Sequence, residues 1–426
     1  MTHENHPDVL IVGAGPVGLF AALSLARQGV LLRVVDTGVW ACKHSYALAL
    51  HSDSLALFQE FGLLKSVWDN SYPVRALGFY SSTGRHAQVQ IPDMAVVRQD
   101  SLESLLEEAL RGYGVRVEWR HEVSALSAGD GWVTANLDRF EKDSRGYAVA
   151  HTEWAVAGTE SLAVPFVLGA DGYNSRVRRS LNIEFEQAAP AQYSAVFEFD
   201  TDADLQNEVR IVLGERTTDV LWPLPGNKCR WSFHLPDYSD PAAEQLQDRL
   251  MSAGFGYFPM DRPKDRAAGS AFPTVPVLEE SSLRQLLAER APWFSASIGA
   301  IHWRTMVRFE RRLARAFGQR RQWLAGDAAH LTGPIGMQSM NLGLFEAYDY
   351  ASTVKRVLGG ASLNEFEAYG ERWRDEWKRL HGMTGGLQPA ADADPWLASH
   401  AGKLLPCLPS HGAGLSALAA TLGMKV

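Results

Sequence analysis

Gly13, Gly15 and Gly18 stand in the string VGAGPVG, directly after the apolar run DVLIV and directly before an apolar-periodic stretch. Strand, glycine turn and helix in that order make a phosphate cradle. The first glycine permits the tight turn, the second lets the backbone approach a pyrophosphate, and the third lets the helix pack on the sheet. The helix opens at Pro16 and Val17, and its N-terminus offers free N–H groups and a positive dipole to the phosphates. Asp36 closes the next strand, where an acid holds ribose hydroxyls. An acid there disfavours a 2′-phosphate and leaves NAD and FAD both open. The competing reading is a glycine turn with no ligand.

Two later strings carry residues of the same kind. Residues 169–178 read GADGYNSRVR, with Asp171, Gly172, Ser175 and Arg178. Residues 326–341 read GDAAHLTGPIGMQSMN, with Gly326, Asp327, His330, Pro334, Gly336, Met340 and Asn341. These strings resemble the Asp-Gly motif (DGxxSxxR) and the Gly-Asp motif of the class A flavoprotein monooxygenases, which share a p-hydroxybenzoate hydroxylase-like fold. The three motifs follow one another in that family's order. The resemblance is close over residues 8–180 and 300–350 and architectural between them.

The resemblance implies FAD as the resident cofactor, with NADPH or NADH as electron donor. It implies that Asp327 binds the ribityl chain, a carboxylate being suited to paired hydroxyl donors. It places a helix N-terminus near Met340 and Asn341 against the isoalloxazine edge, where the dipole stabilises negative charge. Arg178 is expected to meet a phosphate or carboxylate. Arg98 or Gln99, in VVRQDSLESLL, reaches the cofactor, and Val123 contacts the adenine through its backbone. Lys43 or His44 stands near the flavin. The implied cycle is hydride transfer to FAD, O2 addition at C4a, and delivery of one oxygen atom from the (hydro)peroxide to a small aromatic or polycyclic organic substrate, hydroxylation foremost. A reductase, a halogenase and a flavin-binding protein without catalysis are the rivals. The halogenase signature WxWxIP is missing, its nearest counterpart being WPLP from Trp222. His330 reads as a structural motif residue, and no single catalytic acid or base is named.

This chain departs from the family where Met337 and Ser339 replace glycines and Glu346 replaces an aspartate. A positive φ at Ser339 would cost about 1–2 kcal/mol.

The elements that must position these residues follow from pattern. A helix is expected from Pro16 to Gln28, a second strand from Leu31 to Val35, and right-handed parallel βαβ pairing of the two. A helix is expected over Tyr46–Leu64, hairpins over Arg75–Val97, and an amphipathic helix over Ser101–Gly112. Sheet is expected over 190–235, helices over Ala242–Met251 and Ser281–Ala291, and coil through much of 253–275. A short strand at Trp323–Ala325 then leads to helices at Met340–Leu358 and Leu363–His381. The expected fold is α/β: a Rossmann-like FAD-binding domain from residues 1–75, 97–180 and 298–345, a substrate-binding β-sheet domain from 76–96 and 181–297, and a C-terminal helical region at 346–426. Tyr193, Phe197, Trp222 and Trp231 are candidates to line an apolar substrate pocket, with plain packing the alternative for each. The arginines between Arg304 and Arg321 read as a solvated face. The tail after Gly385 is expected to pack on the cofactor domain.

The net charge of −8 argues against nucleic-acid and anionic-membrane partners. Three cysteines, without CxxC or a Cys/His cluster, give no metal site and suit a reducing cytoplasm. No signal segment or membrane-spanning stretch is expected. The expected partners are a small organic substrate and O2, with the chain a monomer or homodimer.

Overall fold

The computed structural model describes residues 6–39, 49–145, 151–238 and 276–426, with backbone alone for 142–145 and 151–153. Lys43, His44, Cys42 and the helix expected at 242–251 lie outside the described residues, as does the coil expected at 253–275.

A six-stranded sheet holds the sequence-predicted βαβ unit. Its order is Gly318–Gln319, Gln322–Leu324, Phe166–Gly169, Val9–Val12, Leu32–Asp36, Val117–Trp119. All neighbours are parallel except the short first pair. Val9–Val12 is buried along its whole length, as a central strand covered on both faces must be. The helix Pro16–Arg27 begins with proline, whose fixed φ suits a first helical position. It ends before Gly29, which takes φ +73°.

A nine-stranded sheet stands beside this unit. Its order is His330–Leu331, Ile301–Ala314, Phe185–Asp200, Lys228–His234, Thr218–Leu224, Glu208–Leu213, Ser71–Ser81, Gly84–Val97, Ala49–Leu50. The hairpin Ser71–Val97 turns at Ser82 and Thr83, as its polar residues and Gly84 suggest. The strand Ile301–Ala314, grouped by sequence with the cofactor segments, is hydrogen-bonded in this large sheet to Phe185–Asp200. One face of the sheet joins the core of the dinucleotide unit; the other packs under the helix Glu280–Arg290 through Leu283, Leu286 and Leu287. A three-stranded sheet (His121–Ala128, Val133–Arg145, His151–Val164) completes the cofactor side.

The helix expected over Tyr46–Leu64 is not continuous. Ala49–Leu50 is a strand paired with Ala95 and Val96, and the helix starts at Ser52. The reason is tertiary: Asn341 takes the His51 N–H at 2.8 Å and donates to the Ala49 carbonyl at 2.9 Å, holding this stretch extended. The long helix after the Gly-Asp string runs Gln338–Leu358 and lies against Pro16–Arg27. The helix Asn364–Leu380 follows it. The tail packs inward, with Leu404, Cys407 and Leu408 buried. Burial pushes the Cys407 thiol up to about 12 and the Cys229 thiol up as well, so neither is a reactive thiolate. Among the described residues no helix is long and apolar enough to cross a membrane.

Candidate cofactor cleft

The three motifs leave the sheet at one edge. Val9–Val12 runs into Gly13, Phe166–Gly169 runs into Asp171, and Gln322–Leu324 runs into Gly326. These three strands are adjacent and parallel. Ligands in open α/β sheets bind outside the carboxyl ends of such strands.

Two glycines of the first motif are required by protein alone. Gly13 takes φ +106°, and a Cβ there would lie 2.2 Å from the Ala170 carbonyl oxygen. A Cβ on Gly18 would lie 2.0 Å from the Gly13 carbonyl oxygen. Gly15 differs: a Cβ there would meet no protein atom within 4 Å. The space over Gly15 is open, at a helix N-terminus with no side-chain cap and no acid in its first turn. A helix end of this kind can receive an anion. Asp36 lies beside it. Its Oδ2 accepts the Ala14 N–H at 2.7 Å and its Oδ1 the Gly38 N–H at 2.6 Å. Desolvation raises its proton affinity, and the two backbone bonds oppose this.

In the second motif Asp171 accepts the Arg176 and Val177 N–H groups, at 2.7 and 3.2 Å, through Oδ2. Its Oδ1 has no hydrogen-bond partner in the protein. Ser175 caps the short helix Arg176–Ser180 by accepting the Arg178 N–H. Arg178, expected to meet a phosphate or carboxylate, is 2% exposed and turns inward. It donates to the carbonyls of Ala328 (2.8 Å) and Tyr173 (2.7 Å) and lies over the Phe185 ring at 3.9 Å. Burial lowers its pKa to about 10, so it stays charged at neutral pH. Its geometry joins the second motif to the third.

In the third motif Asp327 is solvent-exposed while protein crowds around it, the situation of a group on a cleft floor. Desolvation raises its proton affinity, opposed first by the Ser339 hydroxyl. Met337, not Ser339, takes the positive φ, +49°. Ser339 is already inside the helix. Asn341 is buried with all four of its bonds made within the protein: to His51 N–H, Ser54 Oγ, the Ala49 carbonyl and the Met337 carbonyl. It therefore shapes the loop rather than facing the cleft. His51 donates to the Gly336 carbonyl at 2.9 Å, and burial lowers its pKa to about 3. Gly336 and Gln338 are held by the tail, bonding to the Pro406 and Leu408 carbonyls. Pro334 and Met340 are partly exposed beside this loop.

Arg98 is exposed at the N-cap of the helix Gln99–Arg111. Gln99 donates to Glu103 at 2.8 Å. Val123 is buried in the strand His121–Ala128. Next to it Glu122 pairs with Arg176, which brings this strand against the second motif.

The aromatic candidates separate by sheet face. Phe197 and Trp231 have no exposure and pack under the helix Glu280–Arg290, on the far side from the cofactor unit. They are core, and alternation along the strands explains why. Trp222 faces the cofactor unit but is 1% exposed, so it too is packed. Tyr193 is half-buried against Tyr238.

Sequence reasoning missed a polar row on the face that Trp222 shares. Trp303, Glu198, Arg230 and Trp222 are direct cross-strand neighbours. Glu198 and Arg230 form a buried ion pair, with Nε to Oε1 at 2.7 Å. Arg98 Nη1 is 3.7 Å from Glu198 Oε2, and Arg230 lies 5.0 Å from the Trp303 ring. The only sequence signal was strand parity: Glu198 stands between Phe197 and Phe199, and Arg230 between Cys229 and Trp231. A concavity of about 580 Å³ is lined by Glu280 and residues 299–304, Trp303 of this row among them.

A family model described as FAD binding domain matches residues 6–254 and 270–380. The chain belongs to this family, and its fold is the p-hydroxybenzoate hydroxylase-like fold of class A flavoprotein monooxygenases. It is 28% identical over 370 residues to 6-methylpretetramide 4-monooxygenase of Streptomyces rimosus, matching 84% of this chain and 57% of that protein. It is 25% identical to pentachlorophenol 4-monooxygenase of Sphingobium chlorophenolicum, over 83% of this chain and 59% of that protein. The chain thus spans under two thirds of the length of these relatives. The solved structure of p-nitrophenol 4-monooxygenase from Pseudomonas putida DLL-E4 superposes with a TM-score of 0.66 at 20% identity, over 94% of this chain and 95% of that one.

Proposed function

We propose that this chain is an FAD-dependent monooxygenase that uses NADPH or NADH and O2 to hydroxylate a small aromatic or polycyclic substrate. The observation that carries the reading is the convergence of three motif loops at the ends of three adjacent parallel strands, with open space over Gly15 and an exposed Asp327. The relatives named above support the reaction class. Overall, one oxygen atom of O2 enters the substrate and the other leaves as water, with electrons from the nicotinamide.

The residues fit the cofactor. The amides at Gly15, Val17 and Gly18 would hold the pyrophosphate, Asp36 a ribose, and Asp327 the ribityl hydroxyls. The unpartnered Oδ1 of Asp171 is one more acceptor on the motif face. Arg98, Gln99, Val123 and Met340, with Lys43 or His44, complete the assignment. Arg178 and Asn341 hold the loops in shape. FAD, once bound, supplies hydride acceptance and oxygen activation; the protein supplies placement and exclusion of water. The substrate lies against the large sheet near Arg98, Glu198 and Arg230. The proposed cofactor domain is 1–75, 97–180 and 298–345, of which Ala49–Leu50, 71–75, Ile301–Ala314 and His330–Leu331 join the large sheet, and the cytoplasm is the proposed location.

The test is the visible spectrum of the purified chain, followed by NADPH or NADH in air with a panel of phenols and polycyclic aromatics. A yellow protein whose flavin bleaches and reoxidises, with oxygen uptake accelerated by one compound and a hydroxylated product, supports the proposal. A protein that cannot be reconstituted with FAD refutes it.

A further inference from the structure

Ser339, where the resembled family has glycine, places a hydroxyl between two titratable groups. Its Oγ donates to Asp327 Oδ1 at 2.5 Å and lies 3.3 Å from His330 Nδ1. On the other side of the ring, His330 Nε2 is 2.9 and 3.0 Å from the two Glu346 oxygens. Glu346 also accepts the Gly326 N–H at 2.8 Å and the Trp377 Nε1–H at 2.7 Å. His330 and Glu346 are wholly buried, and Trp377 stacks on His330 at 3.8 Å. Of these four hydrogen-bonded side chains, Asp327 and, in part, Ser339 meet solvent.

Counting hydrogens restricts what the chain can hold. Glu346 accepts from the Gly326 and Trp377 N–H groups, and as a carboxylate it takes a third hydrogen from His330 Nε2. Ser339 has one hydroxyl hydrogen to give. If it goes to Asp327, the 3.3 Å contact is a hydrogen bond only when His330 Nδ1 carries a hydrogen. If Asp327 holds the proton instead, Ser339 turns its hydrogen to a bare Nδ1. The two states differ by one concerted shift: Asp327 Oδ1–H to Ser339 Oγ, and Ser339 O–H to His330 Nδ1. No proton is gained or lost, and Glu346 balances the imidazolium.

We propose that Ser339 is a proton bridge that lets the cleft-floor Asp327 keep its carboxylate charge by storing its proton on the buried His330–Glu346 pair. The 2.5 Å contact favours Ser339 donating to Asp327, which puts the proton on His330. Crowding raises the proton affinity of Asp327, and the bridge offsets this by giving the proton a second home beside Glu346. Among the described residues, charged or titratable groups around the pair include Asp327 itself, Tyr369, which feels the Glu346 charge, His381, whose ring lies 5.5 Å from Trp377, and Arg311, which donates to the His381 carbonyl. A carboxylate on the cleft floor receives hydroxyl donors well. That use rests on the proposed function, whereas the bridge does not. Ser339 is thus a positioning residue acting through Asp327.

The test is 15N NMR of the full chain labelled at histidine, at pH 7, with and without FAD. The His330 signals are assigned by their loss in His330→Gln. The expected result is a protonated Nδ1 in the natural chain and in Ser339→Thr, and a bare Nδ1 in Ser339→Gly and Asp327→Asn. A bare Nδ1 in the natural chain overturns the proposal directly, even if every variant fails to fold. The same Nδ1 state in the natural chain and a folded Ser339→Gly also overturns it. A chain that never takes up FAD but shows the expected pattern refutes the cofactor reading and leaves the bridge standing.

Discussion

The guanidinium of Arg178 donates a 2.8 Å hydrogen bond to the carbonyl oxygen of Ala328, joining two motifs that lie far apart in sequence. A second bond, to the Tyr173 carbonyl, fixes the arginine's own loop. The half-buried Asp171 and the exposed Asp327 are therefore held by a residue that does not itself face the cleft. Hydrogen bonds from a charged donor contribute roughly 1.5–3 kcal/mol each, and a buried carbonyl left without a donor adds a further cost. Arg178→Met is expected to lower stability by about 3 kcal/mol in urea unfolding of the cofactor-free chain. An unchanged midpoint would show that the tie is dispensable.

Gly15 separates binding from folding. A Cβ at Gly13 or Gly18 would strike backbone oxygen, whereas one at Gly15 meets nothing. Gly15→Val should therefore leave the melting temperature of the cofactor-free chain nearly unchanged and weaken FAD binding at least tenfold, about 1.4 kcal/mol. Gly18→Ala should destabilise the fold itself. Fluorescence titration with FAD and thermal unfolding read the two effects apart. Full FAD affinity in Gly15→Val would remove the pyrophosphate from this helix terminus.

Met337 is a non-glycine residue held at φ +49°. The left-handed region costs an L residue about 1–2 kcal/mol. Comparing Met337→Gly with Met337→Ala removes the side chain in both and the strain in one. The glycine variant should be the more stable by about 1 kcal/mol, since the gain is partly offset by unfolded-state entropy. Equal stability of the two would mean that the loop relaxes when the side chain is lost.

Much of this was legible in the sequence because it is local. The strand-glycine-helix unit, the amphipathic helix ending at Arg111 and the helices after Gln338 depend on periodicity and on glycine placement within a few residues. What failed was decided at long range. The extended stretch at Ala49–His51 is held by Asn341, which no local pattern reveals. Phe197 and Trp231 were eligible for a pocket by type and excluded by the face they occupy, which depends on the helix Glu280–Arg290 covering them. Arg178 and Asn341 were recognised as motif residues, but all their partners except the Ser54 hydroxyl are backbone groups, and backbone groups have no signature in sequence. The positive φ in this loop falls at Met337, since the helix begins at Gln338 and already contains Ser339.

Trp231 provides a check on that face assignment. It stacks on Phe233 at 5.0 Å in the core remote from the cofactor unit. Trp231→Ala should cost about 3–5 kcal/mol. Trp231→Phe should lower stability less and leave the KM for an identified substrate unchanged. A change in KM without a change in stability would return this residue to the pocket.

His51 makes a pH prediction whose sign can be worked out. Burial lowers its folded-state pKa from 6.5 to about 3, the bond to the Gly336 carbonyl partly opposing and the nearby His411 adding to the shift. Between those values the unfolded chain binds the proton and the folded chain does not. Stability from this group is whole above pH 6.5 and falls as pH drops toward 3. The slope is up to about 1.4 kcal/mol per pH unit. Asp219, raised to about 6 by burial, acts in the opposite direction, as do Asp36, Asp171 and Asp327. A comparison with His51→Gln cancels those carboxylates, because both proteins contain them. Gln retains a donor for the Gly336 carbonyl and does not titrate. The natural chain should therefore lose about 2 kcal/mol relative to His51→Gln between pH 6.5 and 5, read from urea midpoints at each pH. A difference that stays constant with pH would mean that His51 takes up its proton in the folded chain as readily as in the unfolded one.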